Sequence, residues 1–203
     1  MDAQACSAEL TEFESKTEDQ VKSLINSCLL KTCILDPLPA SVIKDCTDVL
    51  LPVLTKMINI SIETANVPVQ LKEAMIRPKL KKESLDHEVY SNFRPISNLK
   101  FISKMIEKAI SYQLTNYLRD NDLEESLQSA YKTFHSTETA LVKVHNDVVS
   151  AIDNQSYIIL LLLDLSAALD TVDHKILLQR LSCRIGINGK ALRWFKPPTA
   201  SSE

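Results

Sequence analysis

The run Tyr157-Ile-Ile-Leu-Leu-Leu-Leu163, followed directly by Asp164, decides the fold class. Seven consecutive apolar residues predict a fully buried strand, because a strand that is covered on both faces has no polar side to alternate with. A carboxylate at the end of such a strand would lie at the mouth of a core, where its desolvation requires a cation or hydrogen bonds. We therefore expect Asp164 either to bind a metal ion such as Mg2+ or to cap the following turn.

More polar residues follow Asp164 within ten positions. Asp170, Asp173 and His174 could form a metal cluster or an acid–base group, or they could simply cap and begin a helix. Ser166 with His174 and Asp170 has the residue types of a hydrolytic triad. However, it lacks the flanking glycines of a nucleophile elbow, which argues against a hydrolase. The pair Asp164 and Asp170 has no sugar-stacking aromatic beside it, so a glycosidase is also a poor fit.

Composition excludes several other classes. The 203 residues carry a formal net charge of -3 and only two glycines, which removes phosphate-binding glycine loops and dinucleotide fingerprints. Five cysteines without a Cys-x-x-Cys pair argue against a zinc site. Together with the lack of a signal peptide at the start, these cysteines favour a reducing intracellular location, in the cytoplasm or nucleus. The run at 157–163 is too short to cross a membrane, so no membrane partner is expected.

The charge is unevenly distributed along the chain. Residues 72–108 contain 9 basic and 5 acidic side chains, whereas the flanking stretches are acidic. Within this basic region, Lys79, Lys81, Lys82 and Arg94 lie on two short extended segments that each contain a proline, which predicts edge strands joined by a loop. Such a hairpin could present its cations to a triphosphate or a nucleic-acid backbone, or it could be an ordinary solvated face.

Periodicity and capping signals predict a helix-rich α+β chain with an incomplete sheet. The first dozen residues are expected to be frayed. Helices are expected after the Thr17–Gln20 capping box, from Val42 to about Ala65 with a kink or a new start at Pro52, from Ile102 to about Asn121, after Ser136, and after Asp173 until Gly186. The helix after Ser136 is expected to bury Leu141, Val144, Val148 and Ile152. The sheet neighbours that the 157–163 strand needs are expected beyond the C-terminus.

Five blocks in the chain make the pattern specific. They are Arg94-Pro95-Ile96-Ser97-Asn98-Leu99, Phe101-Ile-Ser-Lys-Met-Ile-Glu-Lys108, Gln128-Ser-Ala-Tyr-Lys132, His135-Ser-Thr-Glu-Thr-Ala-Leu141 and Leu163-Asp-Leu-Ser-Ala-Ala-Leu-Asp-Thr-Val-Asp-His174. Their order and spacing resemble the reverse transcriptase of non-LTR (LINE-type) retrotransposons, from about Asp36 to Phe195. The resemblance implies a partial right-hand polymerase, with fingers and the first part of the palm, over residues 36–195. Residues 1–35 would be an acidic segment with a helix, and 196–203 an unstructured tail.

The resemblance also implies roles for individual residues. Asp164 would be the first palm ligand of Mg2+, with the Leu165 carbonyl beside it. Arg94 and one of Lys81 or Lys82 would bind the triphosphate of the incoming dNTP. Lys132, where the family usually has arginine, lies in the template-side block, and Ser136 starts the helix after it. Both are expected to contact nucleic acid, with an RNA template and a DNA primer as partners and an oligomeric state that stays open.

Two departures from the family limit what is expected of the chain. Leu169 stands where the family has the phenylalanine that discriminates against the ribose 2'-OH. The next catalytic block, which bears two adjacent aspartates, is absent from the 203 residues. Because two-metal catalysis needs carboxylates from both blocks, we expect a chain that is truncated after the first palm motif and inactive alone. The alternatives are a non-catalytic RNA- or partner-binding remnant, and a chain that aggregates through its unpaired strand.

Overall fold

The structure is a computed structural model that describes residues 8–28, 32–164 and 171–197. It divides into two compact units, one built from residues up to Asn121 together with those from His174 onward, and one spanning Asp122–Asp173. The helices are α1 (Glu18–Ser27), α2 (Ala40–Asp45), α3 (Thr47–Thr64), α4 (Val69–Lys72), α5 (Phe101–Asp120), α6 (Thr137–Asp153), α7 (His174–Cys183) and α8 (Gly189–Trp194). The strands are β1 (Ala74–Leu80) and β2 (Phe93–Leu99), preceded at β2 by a single 3-10 turn at Tyr90–Asn92.

The predicted start of α1 is confirmed. The Thr17 hydroxyl accepts from the Gln20 backbone N–H at 3.3 Å, and the Gln20 side chain accepts from the Thr17 N–H at 3.0 Å. This reciprocal capping box satisfies two donors that a helix N-terminus otherwise leaves unpaired. The apolar face of α1 then buries Val21 and Ile25 completely.

The single helical stretch predicted from Val42 to Ala65 is divided in two. The chain turns at Cys46 between α2 and α3, and α3 ends at Thr64 and is capped by Ala65, which adopts a left-handed conformation (φ 51°). Pro52 lies inside α3 rather than in its first turn. Because proline has no N–H to donate, α3 lacks one of its internal hydrogen bonds there.

The core of the first unit forms where α1, α3 and α5 pack against one another. α5 begins and ends within one residue of its predicted bounds, and its apolar stripe supplies four of the largest buried side chains. These are Phe101, Met105, Ile106 and Ile110, which meet Ile58 of α3 and Ile25 of α1 in one cluster. Helix amphipathicity at a period of about 3.6 residues therefore builds this core, as expected.

The segment before α1 is better anchored than predicted. Leu10 forms a parallel bridge with Ile187, in which its N–H donates to the Gly186 carbonyl at 2.9 Å. Gly186 has φ +78°, and a Cβ at this position would lie 2.1 Å from the Ala8 carbonyl oxygen. Phe13 is buried and packs edge-on against Trp194 and Phe195. The expectation that the first dozen residues are frayed is therefore wrong for residues 8–12. The sequence did not predict this, because contacts with distant residues leave no periodic pattern.

The helix after Ser136 forms as predicted, but its predicted burial is wrong. Leu141, Val144 and Ile152 on α6 are all exposed, Leu141 by 63%. Periodicity shows which face of a helix is apolar, whereas burial requires a partner for that face. Within the described residues of the second unit, no other helix or strand is present to cover it.

The run at 157–163 is not a buried strand. Its residues have no regular secondary structure, and Leu162 and Leu163 are exposed by 83% and 82%. A strand that is apolar on both faces needs sheet neighbours, and the described residues contain only β1 and β2, which pair with each other. A helix-rich chain with a small sheet is thus confirmed. In the described ranges, no helix is both long and apolar enough to cross a membrane.

Candidate functional site

The β1–β2 hairpin brings the predicted cations together in a defined register. The strands are antiparallel, with Lys79 directly opposite Arg94 and Arg77 opposite Ile96. Because side chains alternate between the two faces of a strand, Arg77, Lys79 and Arg94 share one face. Lys81 joins the same face, since its N–H donates to the Asn92 carbonyl at 2.8 Å and continues the ladder. We call these four side chains the cationic face.

The cationic face has no internal charge compensation. All four of its side chains are exposed, and none forms an ion pair with a carboxylate of the described residues. Lys100, at the base of the same hairpin, differs: its Nζ lies 3.2 Å from a Glu73 carboxylate oxygen and donates to the Gln70 carbonyl at 2.6 Å. The two prolines Pro78 and Pro95 also stand opposite one another, which limits the ladder and keeps both segments extended.

Lys82 lies just past the ladder, in an exposed bend of the loop between the strands. The sequence could not decide between Lys81 and Lys82 as the second triphosphate cation. The hydrogen bond at Lys81 fixes its backbone beside β2, whereas no such bond holds the backbone N–H of Lys82 in the described residues. Geometry therefore favours Lys81 as the better positioned of the two.

The loop Asp36-Pro37-Leu38-Pro39, before α2, holds the base of the hairpin. The Asp36 carboxylate accepts from the Phe101 N–H at 2.8 Å and from the Cys33 N–H at 3.0 Å. The Cys33 thiol in turn contacts the Asn98 carbonyl at 3.2 Å. Lys100, the residue before α5, makes no side-chain cap, so Asp36 supplies the negative charge that a helix N-terminus favours. The sequence shows an acid in this loop, but it does not show that its partner is Phe101, which lies 65 positions further along the chain.

Lys132 is engaged within the second unit. Its Nζ lies 3.4 Å from a Glu124 carboxylate oxygen and donates to the Glu125 carbonyl at 2.6 Å. Only 20% of the side chain is exposed. Nucleic-acid contact by Lys132, as the family resemblance implies, would require exchange of the Glu124 partner for a phosphate.

Ser136 is the N-cap of α6. Its hydroxyl accepts from the Thr139 N–H at 3.2 Å, while the Thr139 hydroxyl accepts from the Ser136 N–H at 2.8 Å. A hydrogen bond from the Ser136 side chain, followed in importance by one from the Glu138 backbone, lowers the pKa of the Glu138 carboxyl. The capping function is therefore present, and a nucleic-acid contact at Ser136 would be an addition to it.

Asp164 is exposed at the end of the 157–163 run, not at the mouth of a core. Leu165 and Leu169, and with them Ser166 and Asp170, lie outside the described residues. Among residues that the structure does describe, no three His, Cys, Asp or Glu side chains cluster as a metal site would require. The Asp164 carboxylate is a hard oxygen donor that suits Mg2+, but these residues alone do not complete a ligand set.

The candidate residues fall into two groups that the structure describes separately. Lys81, Lys82 and Arg94 belong to the first unit, and Lys132, Ser136 and Asp164 belong to the second. The first group can bind a polyanion through exposed, unpaired cations. The second offers one free carboxylate for a hard cation. Together these are the two kinds of group that a phosphoryl-transfer site uses.

Comparisons with known proteins identify the family. Residues 80–194, more than half of the chain, match the family described as reverse transcriptase (RNA-dependent DNA polymerase). A protein of Drosophila melanogaster named as a probable RNA-directed DNA polymerase from transposon X-element is 28% identical over 121 residues. That alignment covers 60% of this chain and 13% of the relative, so the chain spans a small part of the relative's length. The matched range contains the second strand of the hairpin, α5, α6 and Asp164, and with these elements the chain belongs to the reverse transcriptase family.

Proposed function

We propose that this chain is the nucleotide-binding fingers and first palm segment, residues 36–195, of an RNA-directed DNA polymerase from a non-LTR (LINE-type) retrotransposon. One observation carries the proposal: the hairpin holds Lys79 and Arg94 opposite each other, exposed and without ion-pair partners in the described ranges. Such an arrangement is destabilising by itself. It becomes favourable when a polyanion binds between the cations.

The triphosphate of the incoming dNTP is the proposed ligand of this face. Arg94 can bind two phosphate oxygens at once through its planar guanidinium, and Pro95 after it fixes the backbone from which the side chain projects. Lys81 supplies a second charge on the same face. Lys82, in the adjoining loop, would reach the outermost phosphate. Leu169 would lie against the sugar, where its smaller side chain is proposed to weaken discrimination against a ribose 2'-OH.

Asp164 and the Leu165 carbonyl are the proposed ligands of Mg2+. When bound, Mg2+ neutralises charge that develops on the transferring phosphoryl group. This chain provides one of the palm carboxylates, and its 203 residues contain no pair of adjacent aspartates. We therefore propose that these residues alone bind Mg2+ weakly and do not catalyse DNA synthesis. A second segment with the remaining carboxylates would be required.

The RNA template and DNA primer are the proposed nucleic-acid partners. Lys132 would exchange Glu124 for a backbone phosphate, which replaces one charge-assisted contact by another. Ser136 would present the N-terminus of α6, where backbone N–H groups and the helix dipole favour a phosphate. Both contacts are with the sugar-phosphate backbone and imply little dependence on template sequence.

Primer extension tests the proposal. The purified chain is incubated with an RNA template, an annealed DNA primer, dNTPs and Mg2+. We expect binding of the primer–template without extension of the primer. Clear DNA synthesis that Asp164→Asn abolishes would contradict the proposed requirement for a second segment and would strengthen the role of Asp164. Failure to bind the primer–template at all would contradict the polymerase proposal itself.

A further inference from the structure

A cavity of about 640 Å³ opens at the base of the hairpin, within the first unit. Its walls come from the end of α1, from the last residues of β2 and from the first three turns of α5. The polar lining includes Arg77, Lys104 and Lys108, with the neutral side chains Ser97 and Asn98 between them. Ile96 and Phe101 form the apolar part of the wall.

The lining is strongly positive. Three cationic side chains border the cavity, and no Asp or Glu of the described residues does. Lys104 and Lys108 are four residues apart on α5, so their stems project from the same side of the helix at a separation of about 5–6 Å. Glu107 lies on α5 outside the lining; desolvation raises the pKa of its carboxyl, and Lys104 partly offsets this rise.

Two of the three cations have neutral hydrogen-bond partners among the described residues. Lys108 donates to the Ser27 carbonyl at 3.2 Å and to the Ser27 hydroxyl at 2.8 Å, and Lys104 donates to the Asn98 side-chain oxygen at 2.7 Å. These contacts hold the Lys108 ammonium group at the wall without neutralising it. Arg77 has neither an ion pair nor a side-chain hydrogen bond with any described residue, so its five donors are available.

The cavity is continuous with the cationic face. Arg77 belongs to both, because it lines the cavity and shares a face with Lys79, two residues further along β1. Two residues of a strand span about 7 Å. A ligand that reaches from Lys79 to Lys108 must therefore carry negative charge at intervals along its length. A single-stranded nucleic acid does so, whereas the compact triphosphate of one nucleotide does not.

We propose that this cavity binds a backbone phosphate of a single-stranded RNA that passes Lys79, beside the proposed dNTP contacts Arg94 and Lys81, with Arg77 and Lys108 as its main contacts. The inference rests on the proposed polymerase function and adds to it a nucleic-acid contact at the base of the hairpin. The RNA would be held through its phosphates, since the lining formed by described residues has three neutral hydrogen-bonding side chains, Ser27, Ser97 and Asn98, and no exposed aromatic ring on which a base could stack.

The test is RNA binding by the full chain, measured as fluorescence anisotropy with a labelled single-stranded oligouridylate. The variant Arg77→Gln with Lys108→Gln removes two charges from the cavity. Lys56→Gln with Lys44→Gln is the matched control, because it removes two charges outside the cavity and the hairpin, one from an exposed and one from a half-buried position. Thermal unfolding of each variant verifies that the first unit remains folded, and Arg77→Lys tests whether charge alone suffices.

We expect the double cavity variant to lose about tenfold in affinity. The slope of log K against log salt should also fall by about 1.4, since each contact to a single strand contributes about 0.7. The control should retain wild-type binding. Wild-type RNA affinity in the cavity variant, together with weaker RNA binding by Lys79→Gln, would overturn the cavity and leave the proposed function standing. Displacement of the RNA by inorganic triphosphate that depends on Arg77 would instead assign the cavity to a polyphosphate and overturn the RNA assignment.

Discussion

Lys79 and Arg94 are direct cross-strand partners in the β1–β2 ladder, on one exposed face of the hairpin. Like charges at directly opposed positions destabilise an antiparallel pair, by an amount comparable to the roughly 0.2–1 kcal/mol that favourable pairs contribute. Salt screening reduces this repulsion but does not convert it into an attraction. We therefore propose that the pair is a binding arrangement for an anion, which none of the described residues supplies.

Replacement of Lys79 should separate stability from binding. Lys79→Thr removes the repulsion with Arg94 and introduces a residue that favours strands, so the free energy of unfolding should rise by about 0.2–1 kcal/mol. Binding of single-stranded RNA should weaken at the same time. Urea unfolding and anisotropy measure the two effects. Lys82→Thr is the control, because it removes the same charge from the loop outside the ladder; an equal gain in stability there would contradict the cross-strand explanation.

Removal of the Asp36 carboxylate should destabilise the first unit. Asp36→Ala leaves the Phe101 and Cys33 N–H groups without their acceptor, and the loss of a comparable helix cap costs about 0.5–2 kcal/mol. Asp48→Ala removes a carboxylate whose exposed ion pair with Lys22 should contribute less than about 1 kcal/mol. Thermal unfolding compares the two variants. Equal destabilisation by both would show that Asp36 does not act as the cap of α5.

The start of α6 should depend on pH through Glu138. Because hydrogen bonds from Ser136 and from its own backbone lower the folded-state pKa of Glu138 below the ordinary value of 4.5, the carboxylate stabilises the folded helix above that value. This contribution is lost as the pH falls through the lower folded-state pKa. NMR titration of the Glu138 carboxyl measures the midpoint directly. Ser136→Ala should move the midpoint upward, and an unchanged midpoint would exclude the hydroxyl as the cause.

The exposed run at 157–163 should control solubility. Leu161, Leu162 and Leu163 are each more than 70% exposed, and a short apolar segment without charge or proline promotes aggregation between chains. Leu162→Glu should reduce aggregation on warming, as followed by light scattering, with little change in unfolding of the first unit. Leu127→Glu places the same charge at an isolated exposed leucine of the same unit. If it reduced aggregation equally, net charge rather than the run would be responsible.

Local signals in the sequence predicted much of the first unit. The capping box at Thr17, the apolar period of α5 and the prolines of β1 and β2 each depend on neighbours within a few residues. They could therefore be recognised in the sequence without knowledge of the fold. The hairpin that carries Lys81 and Arg94 was predicted for the same reason. The separation of α2 from α3 at Cys46 was not predicted, since nothing in the adjacent sequence marks a helix end.

Contacts between distant residues account for the errors. The Asp36 carboxylate reaches Phe101 across 65 positions, and Leu10 pairs with Ile187; neither partner has a periodic signature. The burial predicted for α6 and for 157–163 is wrong. An apolar pattern shows that a segment needs packing partners, but it does not show that such partners are present. Lys132 was recognised as a cation, but its pair with Glu124 depends on the turn between them.

The central claim is that the cationic face binds the incoming nucleotide, and a photoreactive dNTP tests it most directly. After irradiation with the full chain, mass spectrometry locates the cross-linked peptide. The account predicts a cross-link within Ala74–Leu99 that excess dNTP suppresses, that Arg94→Gln strongly reduces, and that Lys56→Gln leaves unchanged. A cross-link confined to other segments, or one that survives Arg94→Gln in full, would contradict it.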